Sequence, residues 1–152
     1  MIERDDGGFD LDELEGTSLT AICLMGLVRL EFDERLGVRL GPEAEIRVDL
    51  MRDFTVRSGE DRSGILVKFE PWTENWSPLG MTELASLFRA VVVSAGADSD
   101  GTLKIAFRGG SDIEVPPDVQ YQGWKITGAG QWLDQWGPNL NYFPGRGTES
   151  NP

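Results

Sequence analysis

The chain has 152 residues, 26 acidic against 14 basic side chains, a formal net charge of −12, one cysteine and no histidine. This length suffices to bury a core without disulfides or metals, and the charge disfavours nucleic acid and anionic membranes as direct partners. It suits a basic protein partner, or it serves solubility alone.

Residues 1–16, rich in Asp and Glu, read as an acidic flexible arm, with Phe9 to Leu14 able to form one helical turn on docking. The arm lacks the basic-then-apolar layout of a secretory signal. Residues 17–144 read as a single β-rich domain and residues 145–152 as a disordered tail. The longest apolar run, Leu19 to Val28, is about half of the ~20 residues that span a bilayer, so it reads as buried strand. Gly26 is expected to bend or bulge that strand before Val28, Leu30 and Phe32 alternate with Arg29 and Glu31.

A first hairpin is predicted to turn at Gly41-Pro42, and Phe54 to Arg57 to extend the sheet. After a polar loop from Ser58 to Gly64, Ile65, Val67 and Phe69 alternate as a further strand. Glu70 to Pro78 is irregular, with Trp72 and Trp76 either a binding surface or a lid on the core. Met81, Leu84, Leu87, Phe88 and Val91 recur at helical spacing, so one amphipathic helix is predicted over about Leu79 to Val91. Next come a strand at Val91 to Ala95 and the clearest hairpin of the chain. There Leu103, Ile105 and Phe107 share one face, Gly109-Gly110 turns, and Ile113 and Val115 return before Pro116-Pro117. Strands near Trp124, Trp132 and Asn141 to Phe143 complete the pattern.

Leu36 to Val48 lies over Leu103 to Val115 without a gap, and Phe54 and Val56 match Trp124 and Ile126 after three extra residues. The match points to an internal duplication of residues 27–57 and 92–127, although any two hairpins of period two look alike. The fold class expected is α+β: a largely antiparallel sheet of seven to nine strands from two related hairpin units, with one amphipathic helix packed on it.

Without histidine, Ser-His-Asp and Cys-His catalysis and His-ligated zinc are excluded. The single Cys23 excludes an intrachain disulfide and Cys-cluster metal sites, fits a reducing cytoplasm, and reads as a small buried hydrophobe. No phosphate-cradling glycine motif occurs. Gly96 to Gly101 has Asp98 and Asp100 placed as in a calcium loop but lacks its first aspartate and final glutamate, and reads as a hairpin turn. No cofactor and no metal are expected.

The run DGTLKIAF followed by IEVPPDVQYQGW resembles the second half of a widespread family of small bacterial proteins classed as a domain of unknown function. The resemblance rests on Asp100 to Leu103, Val115 to Asp118, and Tyr121 with Trp124, and extends over about residues 26–143. It implies a compact β-rich domain with one helix and assigns no catalytic residue. The long acidic N-terminus and the Trp72 and Trp76 loop depart from the family pattern.

The leading functional expectation is a non-enzymatic cytoplasmic protein-binding domain, in its narrower form an immunity-type inhibitor of a basic toxin. Acidic side chains would steer association and an aromatic anchor would hold it. The contact residues expected are Trp72, Glu74 and Trp76, with Asp10, Asp12 and Glu13. One alternative is a small-ligand-binding protein or an enzyme using buried carboxylates beside Trp124 and Tyr121; another is a homodimeric structural protein. Neither nucleic acid nor membrane is an expected partner, and both monomer and homodimer remain open.

Overall fold

A computed structural model describes every residue except Met25, Ser58, 60–63, 71–74, Ser77 and 146–152, and gives only the backbone of residues 69, 70, 75, 76, 78 and 79. The strands are β1 (Ile2–Glu3), β2 (Phe9–Asp10), β3 (Thr17–Leu24), β4 (Val28–Arg35), β5 (Val38–Arg39), β6 (Ile46–Leu50), β7 (Phe54–Arg57) and β8 (Gly64–Val67). They continue as β9 (Phe69–Glu70), β10 (Asn75–Trp76), β11 (Val92–Ala97), β12 (Leu103–Phe107), β13 (Asp112–Val115), β14 (Gln122–Gly128), β15 (Gln131–Trp136) and β16 (Asn139–Phe143). Helix α1 is Pro78–Ala85.

In place of the single sheet expected there are two seven-stranded sheets and a separate two-stranded β9-β10 pair. The first runs β1-β2-β11-β12-β13-β7-β8, and the second β16-β15-β14-β6-β4-β3 with β5 added on β4. Every pairing is antiparallel. One continuous core joins them: Leu103, Ile105, Phe107, Ile113, Val56 and Phe54 from the first sheet meet Leu30, Phe32, Val48, Trp124 and Ile126 from the second. Period-two alternation puts these residues on the inner faces, and each fully buried apolar side chain stabilises by roughly 1.5–3 kcal/mol.

Three chain crossings tie the sheets, the first from β2 in the first sheet to β3 in the second. The first half of the chain lays down β3-β4-β6 and then sends β7 to pair with β13 in the other sheet. The second half lays down β11-β12-β13 and sends β14 back to pair with β6. The first strand of the gapless match of Leu36–Val48 to Leu103–Val115 does not correspond, since β12 pairs with β13 whereas the residues at Leu36 and Val38 do not pair with β6. The strand that pairs with β6 is β4, and Leu36 and Val38 stand 87% and 67% exposed on the connection between them. Local alternation there has no surface to pack against. Ile46, Val48, Phe54 and Val56, the later part of that match, are inward as expected.

Gly26, with φ +70, lies in the turn between β3 and β4 rather than in a bulge, since Leu24 pairs directly with Val28. Cys23 is half-buried on the outer face, opposite Arg29. Glu70 to Pro78 is not irregular throughout, because β9 and β10 pair antiparallel with Trp76 opposite Phe69.

The helix ends at Ala85, earlier than its apolar spacing suggests. Leu87 and Phe88 N–H donate to carbonyls only three residues back, and the Arg89 N–H is taken by the Leu19 carbonyl at 2.7 Å. Leu84 and Leu87 reach the core, whereas Phe88 stays exposed with the Arg89 guanidinium 5.4 Å from its ring centre. Of the expected tail 145–152, Gly145 is buried, close against the Gly130 carbonyl, and the rest lies outside the described residues. No helix among the described residues is long and apolar enough to cross a membrane.

Candidate binding surface

The first sixteen residues, expected as a loose arm, are built into the fold. Gly7 takes φ +90 and Asp6 accepts the Gly8 N–H at 2.8 Å, which folds β1 back on β2. Gly8 is required there, since a Cβ would lie 2.6 Å from the Ala97 carbonyl oxygen. β2 then adds to the first sheet, with Phe9 opposite Ala97 and Asp10 opposite Gly96. Phe9, Leu11 and Leu14 are buried, and Phe9 packs at 5.3 Å on the ring of Tyr142 from β16. The Leu11 N–H donates to Ala95 and the Gly16 N–H to Val92, at 3.0 and 2.8 Å. Burial of three large apolar side chains supplies the anchorage that the acidic composition hides.

The carboxylates of this segment consequently stand at fixed places. Seven acids and only one base, Arg4, occupy residues 1–16. Glu3, Asp5, Asp6, Asp10, Asp12 and Glu15 are exposed. The Arg4 guanidinium lies 3.7 Å from Asp6, 3.8 Å from Asp10 and 3.5 Å from Asp98, and the Lys104 ammonium lies 3.1 Å from Asp98. Beside this edge the outer face of the first sheet forms a trough of about 560 Å³ floored by Ser94, Gly96 and Ala106. On its far wall Arg57 binds Glu114 at 3.1 Å and Asp112 at 3.0 Å, and those hydrogen bonds raise the guanidinium pKa further. On the outer face of the second sheet Arg29 is bidentate on Asp49, and Gln122 and Asn141 donate to Asp134. Along residues 1–16 seven acids meet two cations of the same segment, the Arg4 guanidinium and the Met1 amino group.

The segments Asp100 to Leu103, Val115 to Asp118 and Tyr121 to Trp124 converge at one end of the molecule. The buried Trp124 indole donates to the Gly101 carbonyl at 2.8 Å. Gln135, itself buried, accepts the N–H groups of Asp118 and Gly123 and donates to the carbonyls of Asp118 and Gly137. Asp118 in turn accepts the Gln120 and Tyr121 N–H groups and lies 2.7 Å from Arg52. Burial pushes the Asp118 carboxyl up, but these donors and Arg52 outweigh it and hold it below the usual carboxylate range. Backbone hydrogen bonding consumes these side chains, so the cluster is a clasp. Trp124 and Tyr121 do not share a cleft: Trp124 is in the core and Tyr121 lies outside, under Arg52 at 5.3 Å.

Residues 11–136 match the model of a family described as of unknown function, DUF6188. The chain belongs to DUF6188. No curated protein and no solved structure matches it. The match takes in Leu11, Leu14, Gln135 and strands β3 to β15, while β1 and β2 precede it and β16 follows it.

In this DUF6188 protein the sequence-predicted contact residues separate. Asp10 faces the trough, Asp12 lies 3.3 Å from the Met1 amino group, and Glu13 pairs with that same group. These three sit together along the N-terminal segment. Trp72 and Glu74 lie outside the described residues, and only the backbone of Trp76 is described, in β10. Sequence reasoning missed a surface aromatic pair, Trp132 stacked on Phe143 at 5.9 Å with the Lys125 ammonium 5.1 Å from the Trp132 ring. It also missed Gln135. The signal for the first was present, since Trp132 and Asp134 alternate with Leu133. Gln135 gave none, because its partners come from three separate stretches of chain.

Proposed function

We propose that this DUF6188 protein is a non-enzymatic protein-binding domain that takes a basic partner along the β1-β2 edge, and in its narrower form an immunity-type inhibitor of a basic toxin. The observation that carries this reading is the set of exposed acids fixed on a hydrogen-bonded sheet edge, where the seven acids of residues 1–16 meet two cations of the same segment, Arg4 and the Met1 amino group. Fixed charge of one sign steers a partner of opposite sign and sets its orientation, and ordering costs little because the backbone is already placed. The least exposed carboxylates, Asp49 and Asp134, are held by Arg29 and by side-chain amides on an outer sheet face, which favours structural over acid-base use.

The test compares the native chain with an Asp5→Asn, Asp6→Asn, Asp10→Asn variant in recovering proteins from a lysate of the source, at low and high salt. Three exposed charges at about 0.5 kcal/mol each correspond to about tenfold in affinity. The native chain is expected to retain a basic protein at low salt, to lose it as salt rises, and to hold it about tenfold more tightly than the variant. Equal retention by both proteins, or retention indifferent to salt, would remove the reading.

A further inference from the structure

The turn between β4 and β5 has two residues, Leu36 and Gly37, since Arg35 pairs with Val38. Both take left-handed backbone, φ +53 at Leu36 and +76 at Gly37. A turn of this kind favours Asn-Gly or Asp-Gly, and leucine in its first place strains the backbone. The strain yields no packing within the chain, because Leu36 is 87% exposed and Val38 beside it 67%. An apolar side chain held out on a strained hairpin tip points to a contact made with another molecule.

Next to this finger opens an apolar cavity of about 220 Å³. Arg35 and Leu40, which flank the finger in sequence, form its walls together with Leu11, Leu14, Ile46 and Ile126. Ala44 and Ala129 at its rim are exposed, so the space is reached from solvent. A cavity of about 150 Å³ lined by aliphatic side chains accommodates benzene, so this one has room for a leucine side chain. Charges of both signs stand around finger and opening. Glu13 pairs with the Met1 amino group, Arg47 lies 3.4 Å from Glu45, and Arg39, 84% exposed, lies 3.9 Å from Asp33. A face carrying both signs can meet a copy of itself even in a chain of net charge −12.

We propose that this face pairs with a second copy of the chain, Leu36 of each copy entering the apolar cavity of the other. A finger and a socket side by side on one surface are both satisfied at once across a two-fold axis, so the contact closes as a dimer. A partner that brought only an apolar side chain would fill the socket and leave Leu36 in water, whereas a second copy buries both. The pairing stands apart from the basic-partner reading and responds to salt in the opposite sense. Apolar contact between two acidic chains persists or tightens as salt rises, while acid-base attraction weakens.

Sedimentation of the full chain from about 10 μM to about 1 mM tests the pairing. The native chain is expected to pass from monomer to dimer over that range, at low and at high salt. Leu36→Asn is expected to weaken the dimer at least about a hundredfold, since both sockets empty. Its Tm in dilute solution is expected to equal or exceed the native value, because asparagine tolerates the left-handed turn. Ala44→Trp, at the exposed rim, is expected to close the socket and weaken the dimer as much, with the Ile105 and Ile113 methyl resonances in place. Mixing the two variants restores one of the two contacts. Unlabelled Ala44→Trp chain is therefore expected to shift the Leu14 and Ile126 methyls of a labelled Leu36→Asn chain, whereas added Leu36→Asn chain is not. A native chain still monomeric at about 1 mM, a dimer indifferent to Leu36→Asn, or a mixture that leaves those methyls unmoved would each overturn the pairing, and none of them bears on the basic-partner reading.

Discussion

Gln135→Leu is expected to lower stability by about 4 kcal/mol, which corresponds to roughly 10 °C in Tm for a chain of this size. Leucine has a similar volume but none of the four hydrogen bonds that Gln135 makes to Asp118, Gly123 and Gly137. An orphaned buried backbone group costs about 1–3 kcal/mol, and partial relaxation toward solvent brings the total below the sum of four. Glycine at 123 belongs to the same arrangement, since a Cβ there would lie 2.2 Å from the Gln135 oxygen. Thermal and urea unfolding of native and Gln135→Leu chains measure the difference. A loss under about 1 kcal/mol would mean that water replaces the glutamine at little cost, and that the clasp does not organise this end of the fold.

Leu11→Ala is expected to cost about 3 kcal/mol, the usual range for a truncated core leucine. Leu11 is 1% exposed, its N–H is bonded to Ala95, and it forms part of the wall of the apolar cavity, so truncation enlarges that space. Glu15→Ala, one turn away on an exposed side chain, is expected to change stability by under about 0.5 kcal/mol. The contrast matters more than either value. A flexible arm would make both substitutions silent in equilibrium unfolding.

Alternation was the legible part of this fold. Leu103, Ile105 and Phe107 are inward and Lys104 is outward, and Gly109 and Gly110 turn the chain at φ +95 and +93, each as period two and turn chemistry dictate. The division into two sheets was not legible, because it depends on β7 meeting β13 and β14 meeting β6 across long stretches of chain. Local pattern states which face of a strand is buried, not which strand lies beside it. Phe9, Leu11 and Leu14 carried a signal that composition masked. Their spacing is apolar on one side and acidic on the other, the mark of a segment docked by one face. The clasp was legible as a set of residues, since Asp100 to Leu103, Val115 to Asp118, Tyr121 and Trp124 drew attention as sequence. Its physical reason, Gln135 bridging three stretches of backbone, required the structure.

Both functional proposals depend on the acidic segment being a fixed face. Amide hydrogen exchange of the free chain tests this most directly, read at Leu11 and Gly16, whose N–H groups donate to Ala95 and Val92. These amides are expected to exchange at least about a hundredfold more slowly than in an unstructured peptide, alongside those of β12 and β13. Exchange at the unprotected rate would return the segment to a tail, and with it the acids would lose the fixed arrangement on which the binding surface is built.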